Sequence, residues 1–154
     1  MSLNAAVTAL RDAAPFRRID ERRLKVIAMM GETLSFSPGE RLFERGEPGD
    51  AAFVVIDGAV DVLLGAPGQE TTIATLGKGE IFGEIAALCD QTRTTAIAAR
   101  GALSVLRLEK SVLRNLIHEF PDLALEFLRV IASRLEATNV QLGEARQKLR
   151  QIEG

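Results

Sequence analysis

The spacing of hydrophobic positions divides the chain into three zones. In the first, residues 1–31, apolar residues recur at helical intervals. Asp20 is placed as the N-cap of a helix, and Gly31 stands where a glycine commonly follows the last helical residue. Pro15 interrupts the pattern, because proline is not tolerated inside a helix. This zone is therefore predicted to form two short helices.

The second zone, residues 32–109, consists of short β-rich runs between glycines and prolines. Seven runs are predicted as strands: TLSFS, RLF, AAFVVI, AVDVLL, TTIATL, TTAIAA and LSVLRL. Asp57-Gly58 between two of these runs is typical of a hairpin with a type I′ turn. Close, regular spacing of short strands favours an antiparallel sandwich or roll over βαβ units.

The third zone, residues 110–154, returns to helical spacing. Pro121 is predicted to end one helix and to open the next in its first turn. Apolar and small residues then alternate at intervals of four and three: Ile131, Leu135, Thr138, Leu142, Ala145, Leu149 and Ile152. This seam either packs on its own domain or pairs with a second helix. The heavily charged flanks favour a coiled-coil-like dimer.

Composition narrows the classes of protein. With 154 residues, 47% of them hydrophobic and 26% charged, the chain is expected to form one soluble domain, residues 1–154. A net charge of −2 gives no basic field for nucleic acid or membranes. The longest apolar run, Ala51 to Ile56, is too short to span a bilayer, and no secretory signal precedes it. We therefore expect a cytoplasmic protein with no membrane partner.

Metal and disulfide chemistry are not expected. Cys89 is the single cysteine and His118 the single histidine, so neither an internal disulfide nor a structural zinc or iron–sulfur site can be assembled.

The stretch FGEIAALCDQTRTTA carries the most distinctive chemistry. Gly83 opens a short helix, where a ligand can approach the free N–H groups of the first turn. Arg93, from the loop after that helix, would complete a site for a single phosphate charge, and Thr94 or Thr95 could add a hydroxyl donor. The chain has no GK[ST] sequence, so a triphosphate is a poor fit.

Glu84 indicates that the same ligand has a second group to be bound. A carboxylate repels a phosphate, and it can only accept hydrogen bonds, so its natural partner is a neutral hydroxyl such as that of a ribose. One phosphate charge beside a free ribose hydroxyl describes a cyclic nucleotide.

Three segments together resemble the cyclic-nucleotide-binding domain family: GERLFERGEPGDAAFVVIDGAVDVLL, LGKGEIFGEIAAL and RTTA. The resemblance implies a mainly β, α+β fold, an antiparallel, jelly-roll-like β-roll flanked by N-terminal helices and a long C-terminal helix. It also implies a phosphate-binding cassette over residues 82–95, within the roll of residues 32–109.

The resemblance assigns a role to each cassette residue. Gly83, Ile85 and Ala86 match the positions whose backbone meets the phosphate. Glu84 matches the acceptor of the ribose 2′-hydroxyl, Arg93 the phosphate partner, and Thr94 its hydroxyl helper. Thr95 stands where the family more often has alanine, and its hydroxyl has no implied use.

The expected function is that of a regulatory module. It would capture cAMP or cGMP and relay occupancy through its C-terminal helix to a homodimer partner or an effector protein. The alternative is the sensor domain of a transcription regulator. That branch carries a helix-turn-helix domain after this helix, and the chain ends at Gly154, so no DNA binding is expected from the chain alone.

Catalysis is not expected. Hydrolysis of a cyclic phosphodiester needs metal ligands or a general base near the phosphorus, and the chain offers one histidine and no clustered carboxylates. No catalytic residue and no cofactor are therefore predicted. The choice between cAMP, cGMP and another ligand stays open.

Overall fold

The N-terminal zone forms a helical layer. The structure, a computed structural model, describes residues 3–153. Helices α1, Leu3–Asp12, and α2, Glu21–Met30, flank a 3₁₀ turn, Ala14–Phe16, that contains Pro15. The carboxylate of Asp20 accepts the N–H of Arg23 at 2.9 Å, which confirms the predicted N-cap.

Eight strands follow α2. They are β1, Glu32–Phe36; β2, Arg41–Phe43; β3, Ala51–Asp57; β4, Val60–Leu64; β5, Thr71–Leu76; β6, Ile81–Phe82; β7, Ala96–Ala99; and β8, Leu103–Glu109. They form two four-stranded antiparallel sheets, ordered β1-β8-β3-β6 and β2-β7-β4-β5. The predicted mainly β roll with flanking helices is confirmed. Helix α3, Glu84–Leu88, lies between β6 and β7.

Strand β3 shows how the layers pack. Six consecutive residues, 51–56, are buried, because the strand has a core on each face. Ala52, Val54 and Ile56 face the helices, whereas Ala51, Phe53 and Val55 face the second sheet. An uninterrupted apolar run is typical of a strand covered on both sides.

The predicted hairpin at Asp57-Gly58 is wrong. Strand β3 pairs with β8 and β6, whereas β4 pairs with β7 and β5, so this turn carries the chain from one sheet to the other. Gly58 has φ of 93°, but Asp57 does not have the positive φ that a type I′ turn needs. A Cβ on Gly58 would lie 2.4 Å from the carbonyl oxygen of Ala102, so close packing also requires glycine here.

Gly31 follows α2 as predicted but for a different reason. Its φ of −86° and ψ of 172° are extended rather than left-handed. A Cβ would lie 2.6 Å from Cδ1 of Leu106, so the glycine lets the end of α2 pack against β8.

Two helices follow β8 within residues 3–153: α4, Lys110–Glu119, and α5, Pro121–Glu153. Pro121 is the first residue of α5, as predicted. Leu123 and Phe127, in the first turns of α5, are buried. The rings of Phe127 and Phe16 meet edge-on, with their centroids 5.8 Å apart. From residue 132 to residue 153, every residue of α5 is exposed. Within residues 3–153, no helix is both long and apolar enough to span a membrane.

Candidate functional site

A cavity of about 200 Å³ lies between α3, the loop that follows it, the second sheet and α5. All seven predicted site residues line it: Gly83, Glu84, Ile85, Ala86, Arg93, Thr94 and Thr95. Its other walls come from Phe43, Val62, Phe82, Gln91, Ile97 and Arg134. The structure thus brings the whole predicted constellation to one cavity and adds walls from distant parts of the chain.

Gly83 controls the entry into α3. Its φ is 78°, in the left-handed region that favours glycine. A Cβ there would lie 2.7 Å from Nη1 of Arg93 and 3.3 Å from the carbonyl oxygen of Ala51. Glycine is therefore required twice, for the backbone turn and for the room that the arginine occupies.

Arg93 is fixed from two directions by backbone carbonyls. Nη1 donates to the carbonyl oxygen of Gly83 at 2.8 Å, and Nη2 donates to that of Ala51 at 2.7 Å. The guanidinium carbon also lies 4.1 Å from the centroid of the Phe43 ring. These contacts hold the arginine in one orientation at the cavity wall.

One nitrogen of the Arg93 guanidinium has no hydrogen-bond partner. The residue is 3% exposed, and its Nε is the one buried side-chain nitrogen or oxygen among residues 3–153 with no hydrogen-bond partner. Burial lowers the pKa of the guanidinium, whereas Asp50, with Oδ1 3.6 Å from Nη2, and Glu47 raise it. Arginine nevertheless remains protonated, so the cavity wall holds a buried cation whose hydrogen bonds are only partly satisfied.

Glu84 is also buried, at 2% exposure, and it faces Arg134 of α5. Nη1 of Arg134 donates to Oε1 of Glu84 at 2.5 Å, and Nη2 donates to the carbonyl oxygen of Ile81 at 3.0 Å. The cassette acid is therefore bound to the C-terminal helix. Sequence reasoning missed Arg134, since it lies between two seam positions and no local motif marks it.

The environment of Glu84 has opposing electrostatic effects. Burial raises the pKa of its carboxyl, and the neighbouring cations Arg134 and Arg93 lower it; burial outweighs them. The pKa of such a carboxyl changes with any ligand that alters its solvation or its hydrogen bonds.

The remaining cassette residues line the rim. Ile85 is 43% exposed, Thr94 is exposed, and Ala86 and Thr95 are half-buried. Ile85 and Ala86 lie in the first turn of α3, where helical N–H groups have no intrahelical acceptor. The cavity thus offers a buried cation, helix N–H groups and hydroxyls to an anion, and one carboxylate to a hydroxyl. Across the part of the chain that the structure covers, no three His, Cys, Asp or Glu side chains are grouped as metal ligands.

The fold and the cavity together define a class: a β-roll with a short helical insertion that holds an arginine and an acid around a ligand cavity. Residues 33–120 match the family model described as the cyclic nucleotide-binding domain. The chain belongs to this family, as its sequence indicated.

Curated relatives include a regulator from Mycobacterium tuberculosis described as a CRP-like cAMP-activated global transcriptional regulator. It is 27% identical over 136 residues, which cover 88% of this chain and 61% of the relative. The chain thus spans about three fifths of that protein's length.

Solved structures show the same fold. The catabolite activator protein of Thermus thermophilus superposes with a TM-score of 0.77 and 26% identity, covering 84% of this chain and 61% of that one. The N-terminal domain of a transcriptional regulator from Streptomyces coelicolor A3(2) gives a TM-score of 0.71 and 28% identity, covering 87% and 94%.

Proposed function

We propose that the chain is a sensor module that binds cAMP or cGMP in the cassette cavity without transforming it. The observation that carries the proposal is the buried Arg93, which lines the cavity, is held by two carbonyls and has an unpartnered Nε. An anionic oxygen placed there would complete the hydrogen bonds of the guanidinium and offset the cost of burying its charge.

The charge of the site matches a cyclic phosphodiester. Arg93 supplies one cation for a phosphate, and Glu84 supplies one acceptor for a ribose hydroxyl. An open monophosphate carries more negative charge and would bring it near the buried carboxylate of Glu84. The two cyclic nucleotides share sugar and phosphate, so both belong to the proposal. The absence of a catalytic residue is part of the same proposal.

We propose that α5 relays occupancy of the cavity. Arg134 joins α5 to Glu84, the residue proposed to hold the ribose, so the ligand and the helix meet at one carboxylate. A ligand that changes the contacts of Glu84 changes the free energy of the docked position of α5.

The proposed recipient of this signal is a second copy of the chain or an effector protein. The seam of α5 exposes apolar residues that nothing in residues 3–153 covers, among them Leu135 at 60%, Leu142 at 49% and Leu149 at 57%. A helix with no packed face is marginal in water, so pairing through this seam would stabilise it.

An alternative function is the sensor part of a transcription regulator. The matched relatives from Mycobacterium tuberculosis and Streptomyces coelicolor are both described as transcriptional regulators, which supports this alternative. In that case the DNA-binding part lies outside residues 1–154, and the chain alone does not bind DNA specifically.

Thermal unfolding with added ligand tests the binding proposal. A ligand that binds only the folded chain, at a concentration of about 100 times its Kd, stabilises by about 2.7 kcal/mol, so the unfolding midpoint rises by roughly 5–10 °C. We expect this rise with cAMP or cGMP and a much smaller one with 5′-AMP. No rise with either cyclic nucleotide, or an equal rise with 5′-AMP, would overturn the proposal.

A further inference from the structure

The outer surface of α2 has a composition that the nucleotide site does not explain. Five residues, which we call the α2 outer stripe, lie on it: Arg22, Lys25, Val26, Met29 and Met30. Four of them, at positions 22, 25, 26 and 29, follow the i, i+3, i+4, i+7 spacing of one helical face. The opposite face is buried, so α2 cannot rotate to hide the stripe.

The apolar members of the stripe are strongly exposed. Met29 is 71% exposed, Val26 51% and Met30 45%. Three such side chains within two helical turns form a contiguous apolar surface, and methionine adapts its shape to different partners. This combination is typical of a docking surface.

The cations of the stripe have no partner on their own domain. Within the described residues 3–153, neither Arg22 nor Lys25 makes an ion pair or a side-chain hydrogen bond, whereas Arg23 next to them pairs with Asp20. Residues 3–31 carry six Lys and Arg against three Asp and Glu, and residues 32–153 carry thirteen against eighteen. Positive charge is thus concentrated on the helical layer of an otherwise acidic chain, and the stripe is complementary to an acidic surface.

We propose that the α2 outer stripe docks an acidic amphipathic helix of another protein. Its apolar residues would cover Val26, Met29 and Met30, and its carboxylates would meet Arg22 and Lys25. An anionic membrane is a poorer fit, because a helix of 10 residues with two unpaired cations falls short of the roughly four to eight that such binding uses. This inference does not rest on nucleotide binding.

A designed peptide tests the stripe. The probe is a fluorescein-labelled helical peptide with leucines on one face and glutamates on both flanks. Its control has the same composition with the leucines spread around the helix. Fluorescence anisotropy with the 154-residue chain should show saturable binding of the probe, at least about tenfold tighter than binding of the control. Higher salt should weaken it, because the contacts are charged and exposed.

Variants of the chain locate the binding. Met29→Glu and Lys25→Glu, made separately, should each weaken binding of the probe by about tenfold or more. Arg45→Glu makes the charge change of Lys25→Glu at another exposed cation without a partner among residues 3–153, and should leave binding within about twofold. Equal binding of probe and control peptide, or equal effects of Arg45→Glu and Lys25→Glu, would overturn the proposal.

Two further outcomes would also overturn it. Sedimentation of the chain with anionic phosphatidylserine vesicles, lost in Met29→Glu, would assign the stripe to a membrane. A fall in the solution mass of the chain on Met29→Glu would assign the stripe to a second copy. Met29→Glu and Lys25→Glu change exposed side chains, and unchanged circular dichroism spectra would show that the fold is kept.

Discussion

At the scale of single residues, Arg93 and Glu84 are buried ionisable groups with different partners. Arg93 is held by carbonyl oxygens of the domain, and its Nε has no hydrogen-bond partner. Glu84 is held by Arg134 and is the connection between the cassette and α5. A buried charge is costly unless it is paired, so Arg93, whose Nε has no partner, favours a ligand that supplies an anionic acceptor.

The response of Glu84 to pH gives a residue-scale prediction. Burial raises the pKa of this carboxyl above 4.5, so between pH 4.5 and the raised pKa the folded chain holds a proton that the unfolded chain has lost. The Glu84 contribution to stability therefore falls as pH rises through this window. Glu84→Gln removes that contribution, and we expect the free energy of unfolding of the variant to increase relative to wild type as pH rises.

Urea denaturation between about pH 4 and 7 measures this difference. Glu136→Gln, which changes an exposed carboxylate on α5, is the matched control. A difference between Glu84→Gln and wild type that stays constant or shrinks with rising pH would contradict the assigned environment.

The sequence indicated the cassette residues because their types and spacing are local. It could not indicate what holds them. Ala51 lies 42 positions before Arg93, and Arg134 lies 50 positions after Glu84, so both contacts depend on how the sheets and α5 pack. Phe43, which lies under the Arg93 guanidinium, is likewise brought there by the fold.

At the scale of elements, seven of the eight strands among residues 3–153 could be predicted, and their pairing could not. The strand β6, Ile81–Phe82, was missed because two residues are too few to show alternation. Asp57-Gly58 predicted a hairpin because that signal concerns only the turn, whereas β3 pairs with β6 and β8, which come much later in the chain.

Helix α5 is the element on which the proposed relay depends. Arg134→Leu removes the two hydrogen bonds that join α5 to Glu84 and Ile81. We expect cAMP to slow amide hydrogen exchange around residues 131–140 in the wild type and to have much less effect in the variant, because the ligand no longer acts on the helix through Glu84.

Hydrogen exchange read by mass spectrometry, with and without cAMP, makes the comparison. Arg129→Leu is the control, since Arg129 lies on the same helix and pairs with Glu126 rather than with the cassette. If the ligand slows exchange equally in Arg134→Leu and wild type, Arg134 does not carry the relay.

At the scale of the whole molecule, the C-terminal part of α5, residues 132–153, is exposed. Its exposed seam predicts a dimer, and Leu142→Glu would place a charge at the centre of that seam on both chains. We expect the wild type to sediment at twice its mass of 16.7 kDa, and the variant to dissociate at least about 100-fold more readily.

Gln141→Glu adds the same charge one position away from the seam and should leave the dimer within about threefold of wild type. Sedimentation velocity over a range of concentrations distinguishes these cases. A wild type that stays monomeric at high concentration would contradict the homodimer and leave the effector protein as the proposed partner of the seam.

We propose that the cassette cavity holds a cyclic nucleotide through Arg93, and calorimetric titration decides whether it does. We expect one cAMP or cGMP per chain, with binding weakened about 100-fold or more in Arg93→Ala, since a charge-assisted contact is lost. Arg45→Ala, at an exposed arginine outside the cavity, should change the affinity by less than about twofold. No heat with either nucleotide, or an Arg93→Ala variant that binds like wild type, would contradict the claim.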